Sequence, residues 1–226
     1  KDTHPYKLEW DGETETKTML EGDGDFRSEE CTKILQESDI VITNPPFSMF
    51  REFVKWLEDA GKKYLIIGNV NSISYKEIFP LIKDNKMWLG YNTNKSCDFI
   101  IPDNYVVKES GYVDECGAKH AVVPGICWFT NLDIPSRHGF IHSGRCYART
   151  PEKYPKYDNY DAINVDKTNE IPDDYDGVMG VPVTFLDKYC PEQFEILKCA
   201  AYSDKTHYGA GNLYVDKNKK FTRILI

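Results

Sequence analysis

Two adjacent prolines, Pro45 and Pro46, close a β-branched run, Ile40-Val41-Ile42-Thr43, and this junction constrains the fold more than any other stretch. Proline lacks a backbone N–H and holds φ at about −65°, so a strand ladder cannot run through the pair. The run before it is short and apolar, which predicts a strand buried on both faces of a sheet. Beyond it, Phe50, Phe53, Val54, Leu57 and Ala60 share one helical face, with Ser48 as cap and Gly61 as stop. Upstream, Ser28 is placed to cap a helix that ends near Glu37, and Glu29 and Glu30 suit the positive end of its dipole. Downstream, residues 64–68 predict a second buried strand. Ser74-Tyr75-Lys76-Glu77 has capping-box form and opens a helix through Ile82, and residues 87–90 predict a third strand. Residues 28–90 thus alternate helix and strand, the pattern of an α/β fold with a parallel sheet. Ligands in such folds sit beyond the carboxyl ends of the strands, where Asn44 and Asn69 fall.

After Gly90 the texture changes. Strands are expected within 98–107 and 121–131, then long loops over 135–176, which are rich in Tyr, Pro, Asp and Asn. A strand near 181–185, a helix near 191–197 and a strand near 221–226 complete the reading. This divides the chain into a core over 1–133 and a loop-rich α+β region over 134–226. The 226 residues suit one large domain or two small ones, and a 41% hydrophobic content argues against disorder. No apolar run approaches the roughly 20 residues of a membrane span. Residues 1–10 lack a signal pattern. Seven cysteines, odd in number and without a Cys-x-x-Cys pair, fit a reducing compartment. A cytoplasmic protein with no membrane partner is expected. The net charge of −8 argues mildly against nucleic acid. Lys62-Lys63 and the group Lys217, Lys219, Lys220 and Arg223 are the candidates for a basic face, although solvated surface lysines are the simpler reading.

Asn44-Pro45-Pro46-Phe47 carries the chemistry. An exocyclic amine on a heteroaromatic base is a poor nucleophile, because its lone pair is delocalised into the ring. Two acceptors, the Asn44 amide oxygen and the Pro45 carbonyl, can bind both amine hydrogens and draw the nitrogen toward tetrahedral geometry. Prolines preorganise that carbonyl. Phe47 offers a stacking face, and a base inside a duplex must be flipped out to reach it. Asn-Pro-Pro is also an ordinary turn. Its place between a buried strand and an amphipathic helix is what gives it weight. The tetrapeptide leaves open whether the acceptor is adenine, the guanine amine or a glutamine amide. Asp23-Gly24-Asp25-Phe26 is the second candidate: a carboxylate that accepts from a bound adenine amine, with Phe26 flanking the ring, or else a polar turn before the Ser28 helix. Cys116 and His120, and His138 and His142, have zinc-compatible spacing. Glycines interrupt any helix that would align them, so no metal site is expected.

Six segments bear a wider likeness: GDGDFRSEEC (22–31), SDIVITNPPFSMFREFV (38–54), YLIIGNVNSISYKEIFPLI (64–82), CWFTNLDIP (127–135), YPKYDNYDAINVDK (154–167) and DGVMGVPVTFLDKYCPEQFEIL (176–197). In these the chain resembles the EcoRI-type adenine-specific DNA methyltransferases. The resemblance implies a Rossmann-like class I methyltransferase sheet, S-adenosylmethionine as methyl donor and double-stranded DNA with a flipped adenine as substrate. It also implies a role in restriction–modification or phage defence beside a cognate restriction endonuclease. It maps the catalytic tetrapeptide onto Asn44, Pro45, Pro46 and Phe47, and the cofactor-binding turn onto Asp23, Asp25 and Phe26, and with it the Tyr- and Asn-rich region over 134–226 is expected to help recognise the DNA target. Only 43 residues precede Asn44. That is short for two βα units and a strand, since one βαβ unit takes about 30 residues. The sheet is therefore expected to be incomplete at its N-terminus and to lack a cofactor-binding segment. Two rivals remain: methyl transfer to RNA or a protein amide, and a non-catalytic DNA-binding fragment.

Overall fold

The computed structural model describes residues 4–91, 97–200 and 209–226. Up to residue 91 its elements are β1 (Tyr6–Trp10), β2 (Glu15–Met19), α1 (Glu29–Glu37), β3 (Ile40–Thr43), α2 (Phe50–Asp59), β4 (Lys63–Asn69), α3 (Phe79–Lys83) and β5 (Trp88–Leu89). Then follow β6 (Cys97–Ile101), β7 (Tyr112–Val113), β8 (Lys119–Val123), β9 (Ile126–Thr130), β10 (Ile163–Asn164), β11 (Met179–Pro182), β12 (Lys198–Cys199), β13 (Tyr214–Val215), β14 (Asn218–Lys219) and β15 (Arg223–Leu225).

The sheet that carries the Asn-Pro-Pro junction has the order β3-β4-β9-β5. β3 and β4 are parallel, joined through α2, as the helix–strand alternation predicts. β9 departs from that pattern: it runs antiparallel and inserts between β4 and β5. A second mixed sheet, β10-β11-β15-β12, gathers the C-terminal strands, and β6-β8-β7 forms a small antiparallel sheet. The fold is mixed α/β. Its main core joins Leu35, Leu57, Tyr64 and Ile66 to Ile163, Val181, Phe185 and Ile224, so buried packing is continuous across residue 133.

Local chemistry explains the elements. Ser28 caps α1, its hydroxyl accepting from the Cys31 N–H at 3.1 Å. At the other end of α1, the Lys62 ammonium donates to the Gln36 and Ser38 carbonyls, both at 2.8 Å. These are helix-end carbonyls without intrahelical partners. The start of β4 is clamped by Asn131, whose amide oxygen accepts from Tyr64 N–H at 2.8 Å and whose amide NH2 donates to the Lys62 carbonyl at 2.9 Å. The Thr130 hydroxyl donates to the Tyr64 carbonyl at 2.6 Å.

Several expectations need correction. β3 is not buried on both faces: Val41 and Thr43 are half-buried, but Ile40 is 47% and Ile42 67% exposed. Its one described neighbour is β4, so a face and an edge stay uncovered among the described residues. Ser48 does not cap α2; it lies inside a 3-10 turn, Phe47–Met49, that leads into the helix. Ser74 caps nothing, because its hydroxyl donates to the Asn71 carbonyl. α3 starts only at Phe79, with Pro80 in its first turn, where the missing N–H costs nothing. Residues 191–197 form no helix. Gln193 is committed elsewhere: its side chain bonds the N–H and the carbonyl of Ile141 at 2.6 and 2.8 Å. The β1–β2 hairpin was not predicted at all. The basic residues also serve the interior. Besides Lys62, Arg223 is only 7% exposed and donates to Asp166 at 3.0 Å and Asn164 at 3.3 Å, with Lys220 at 3.5 Å from the same Asp166 oxygen.

Candidate active site

β3 ends at Thr43, opposite Ile66 of β4, and the chain leaves the sheet at Asn44. Asn44 is exposed, and none of the described hydrogen bonds engages its amide. Pro45 is buried, which anchors the bend, while Pro46 is exposed in an extended conformation (φ −57°, ψ 123°). The two proline carbonyls have different fates. That of Pro46 accepts from Met49 N–H at 2.9 Å and is consumed by the 3-10 turn. That of Pro45 has no described partner. Two acceptors, the Asn44 amide oxygen and the Pro45 carbonyl, thus have no hydrogen-bond partner among the described residues at the carboxyl end of a strand. Phe47, 41% exposed, stands beside them.

The support behind the loop is apolar and tight. Phe50 is fully buried and packs on Phe129 with ring centroids 5.1 Å apart. Both rings press on Gly68 of β4. A Cβ there would lie 2.6 Å from Phe50 and 2.8 Å from Phe129. Asn69, the other residue at a strand end, is already engaged: its side chain accepts from Asn71 N–H at 2.9 Å.

The acidic turn lies close by. Gly24 and Phe26 border an apolar cavity of about 220 Å3 that Val41 and Thr43 of β3 also line. Its three candidates differ in freedom. Asp25 is held by Arg27, which donates from its backbone N–H at 2.8 Å, from Nε at 2.9 Å and from Nη2 at 2.6 Å. Those bonds hold the Asp25 carboxyl down at about 2. Asp23 is exposed, and its one described bond is from Asp25 N–H to Oδ1 at 3.0 Å. Phe26 packs edge-on against Phe53 and Trp56 of α2, at 5.0 and 5.3 Å. Asp23 is thus the carboxylate with a free oxygen, and Phe26 is partly spent on the core.

Two of the zinc candidates, His120 and His138, are also tied up. His120 has Asp98 on Nδ1 at 2.8 Å and Asp114 on Nε2 at 3.3 Å, and Tyr112 stacks on its ring at 4.5 Å. His138 has Glu192 on Nδ1 at 2.9 Å and Asp133 on Nε2 at 3.0 Å. With both ring nitrogens bonded to carboxylates, neither ring offers a free lone pair to a metal. Each imidazole is raised above its ordinary pKa, His120 chiefly by Asp98 and His138 chiefly by Asp133.

One residue stands out that the sequence reading passed over. Asp187, on a 3-10 segment (Val183–Lys188), is half-buried, and its Oδ1 is sheltered from solvent with no hydrogen-bond partner among the described residues. No local signal marks it, because Asp-Lys in a short turn reads as surface. Burial pushes its carboxyl up to about 6, against a smaller opposing effect of Lys188. A raised acid pKa means that the folded state holds the proton more tightly than the unfolded chain. The favourable contribution is then complete below about pH 4 and is lost as pH rises through about 6. Asp187→Asn should therefore raise the melting temperature at pH 8, with the gain fading to nothing near pH 4. Melting curves across that range check it, and a gain independent of pH would contradict it.

The family model described as adenine-specific methyltransferase EcoRI matches residues 7–224. The chain is 52% identical over 179 residues to the type II methyltransferase M.EcoRI of Escherichia coli, an overlap of 78% of this chain and 55% of that protein. It is 42% identical over 198 residues to the type II methyltransferase M.MgeORF184P of Mycoplasma genitalium, covering 86% of this chain and 62% of the relative. Against the type II methyltransferase M.MpnI of Mycoplasma pneumoniae the identity is 41% over 199 residues, with 87% and 62% covered. The chain thus spans less than two thirds of the length of these relatives. No solved structure matches it. No helix among the described residues is long and apolar enough to cross a membrane.

Proposed function

The chain belongs to the EcoRI-type family of adenine-specific methyltransferases, and on that premise we propose that it methylates the exocyclic amine of adenine in a specific DNA sequence, as the modification partner of a restriction endonuclease. The observation that carries the reading is the pair of unused acceptors, Asn44 and the Pro45 carbonyl, at the carboxyl end of β3. A flipped adenine needs such a pair, one acceptor for each amine hydrogen. Phe47 supplies the face against which the base stacks. The buried Pro45 and the Phe50 anchor hold the acceptors still, so little reorganisation is needed when the nitrogen becomes tetrahedral. The parallel β3–β4 pair with antiparallel β9 beside it is compatible with a Rossmann-like methyltransferase sheet.

S-adenosylmethionine, when bound, supplies an electrophilic methyl group on sulfur. The residues fit the adenine end of such a donor. The free oxygen of Asp23 is an acceptor for its amine, and the apolar cavity beside Gly24 and Phe26 suits a flat ring. Asp25 acts through Arg27 to shape that turn. The test is transfer of labelled methyl from S-adenosylmethionine in parallel reactions with duplex DNA, RNA and a glutamine-rich protein. Label in DNA, recovered as N6-methyladenine, is the expected result. Label in RNA or protein in preference to DNA rejects the reading.

A further inference from the structure

Apart from the acidic turn, the structure holds a second concavity whose lining includes none of the residues assigned to the reaction at Asn44. A cleft of about 610 Å3 opens between residues 136–145 and the 3-10 segment Val183–Lys188. Its wall is built rigidly from side chains. Gln193 grips both polar groups of Ile141, Asp173 accepts from Ser143 N–H at 3.0 Å and Gly144 N–H at 2.9 Å, and the Ser143 hydroxyl donates to the Ile171 carbonyl. Gly144 takes a left-handed φ of 68° there, a conformation glycine adopts without strain.

Asp187 lines this cleft. Buried acceptors are normally hydrogen-bonded, and one left unpaired costs stability. A carboxylate kept in such a place is a common mark of a binding site. It lies within electrostatic reach of Cys127, the partner of Gly68 near the carboxyl end of β4. Around it are Asn169, the 56% exposed Phe140, and two cations, Arg145 and Lys188, that have no ion pair among the described residues.

These groups select a ligand. The carboxylate needs an N–H donor and repels a bare anion, while the two cations want negative charge. A nucleotide within a strand meets both demands, with an amine on its base and phosphates beside it. S-adenosylmethionine meets them less well, since its single carboxylate is outweighed by its ammonium and sulfonium and leaves it a net cation. We infer that this cleft reads a base of the DNA target: Asp187 accepts from the exocyclic amine of a cytosine or adenine, Phe140 flanks the base, and Arg145 and Lys188 meet the adjoining phosphates. The inference rests on the DNA reading given above and adds a specificity site separate from Asn44. Carboxylates recognise the cytosine amine in this way, whereas phosphate contacts hold register without reading sequence.

Selection from a pool of duplexes with a randomised centre tests it, using the whole chain and sequencing the bound fraction. The wild type should enrich one motif. Asp187→Asn, nearly isosteric, should lose about tenfold or more of the preference at a single position and keep the others. Arg145→Ala with Lys188→Ala should keep every preference but bind more weakly, with a shallower salt dependence. An Asp187→Asn protein that unfolds cooperatively, no less stable than wild type, and enriches the same motif with unchanged weights overturns the cleft inference and leaves the DNA reading standing. A folded wild type that enriches nothing removes the DNA reading, and the cleft inference goes with it.

Discussion

Asn44→Ala should slow methyl transfer by a factor on the order of 10²–10³ while leaving the melting temperature where it was. The two halves of this result follow from one structural fact. Asn44 is exposed at the end of β3, and no described hydrogen bond engages its amide, so the native fold loses almost nothing on truncation. Substitutions at such sites usually stay within about 0.5 kcal/mol. The transition state loses much more. As the amine nitrogen becomes tetrahedral and its hydrogens more acidic, the Asn44 acceptor is needed most. Loss of one preorganised hydrogen-bond partner of this kind costs on the order of 10²–10³ in rate. The Pro45 carbonyl cannot compensate, because it serves the other hydrogen. Single-turnover rates and melting curves on the same preparation separate the two effects. Retention of activity within tenfold would remove Asn44 from the chemistry. A large drop in melting temperature would show that its amide is structural after all.

What the sequence disclosed, and what it hid, divides along the range of the forces involved. α1, α2 and β4 were legible because their signals are local: a Ser28 cap, a 3.6-residue apolar period, and a β-branched run. The Asn44 loop was legible for the same reason, since two prolines enforce a bend wherever they stand. The insertion of β9 between β4 and β5 was not legible. It depends on Tyr64, Asn131 and Thr130 meeting across more than sixty positions, and no window of sequence contains that meeting. The failed helix at 191–197 has a similar cause, because Gln193 is bound to Ile141 from a distant segment. The β1–β2 hairpin escaped because Glu15-Thr16-Lys17-Thr18-Met19 is too polar to mark a strand, and all five residues are exposed. At the site, the sequence named Asp23, Asp25 and Phe26 together. It could not reveal that Arg27 claims Asp25 and α2 claims much of Phe26, which leaves Asp23 as the free carboxylate. Nor could it tell Arg223 or Lys62 from solvated cations, because only the fold supplies Asp166 and the end of α1 as their partners.

The second large effect is expected in the apolar support behind Asn44. Phe50→Ala should cost about 3–5 kcal/mol, the usual loss for a buried aromatic ring that leaves a cavity. Gly68→Ala should cost about 1–3 kcal/mol by overpacking, since its new Cβ would lie 2.6 Å from the Phe50 ring and 2.8 Å from the Phe129 ring. The two changes relieve each other: the methyl at position 68 enters space that the lost ring has vacated. The double variant should therefore be more stable than the sum of the single effects implies, by about 0.5–3 kcal/mol. Urea unfolding of the four proteins measures this coupling, and additivity within about 0.5 kcal/mol would mean that Phe50 does not press on Gly68 in solution. Activity should separate from stability in the same set. The Phe50 N–H donates to the Phe47 carbonyl, and the buried Phe50 ring, packed on Phe129, anchors that turn and with it the position of the Asn44 and Pro45 acceptors. A shift of about 1 Å at such a site can cost on the order of 10² in rate. The double variant, although its packing is partly relieved, still lacks the anchoring ring. Its stability should recover in part while its rate of methyl transfer stays low.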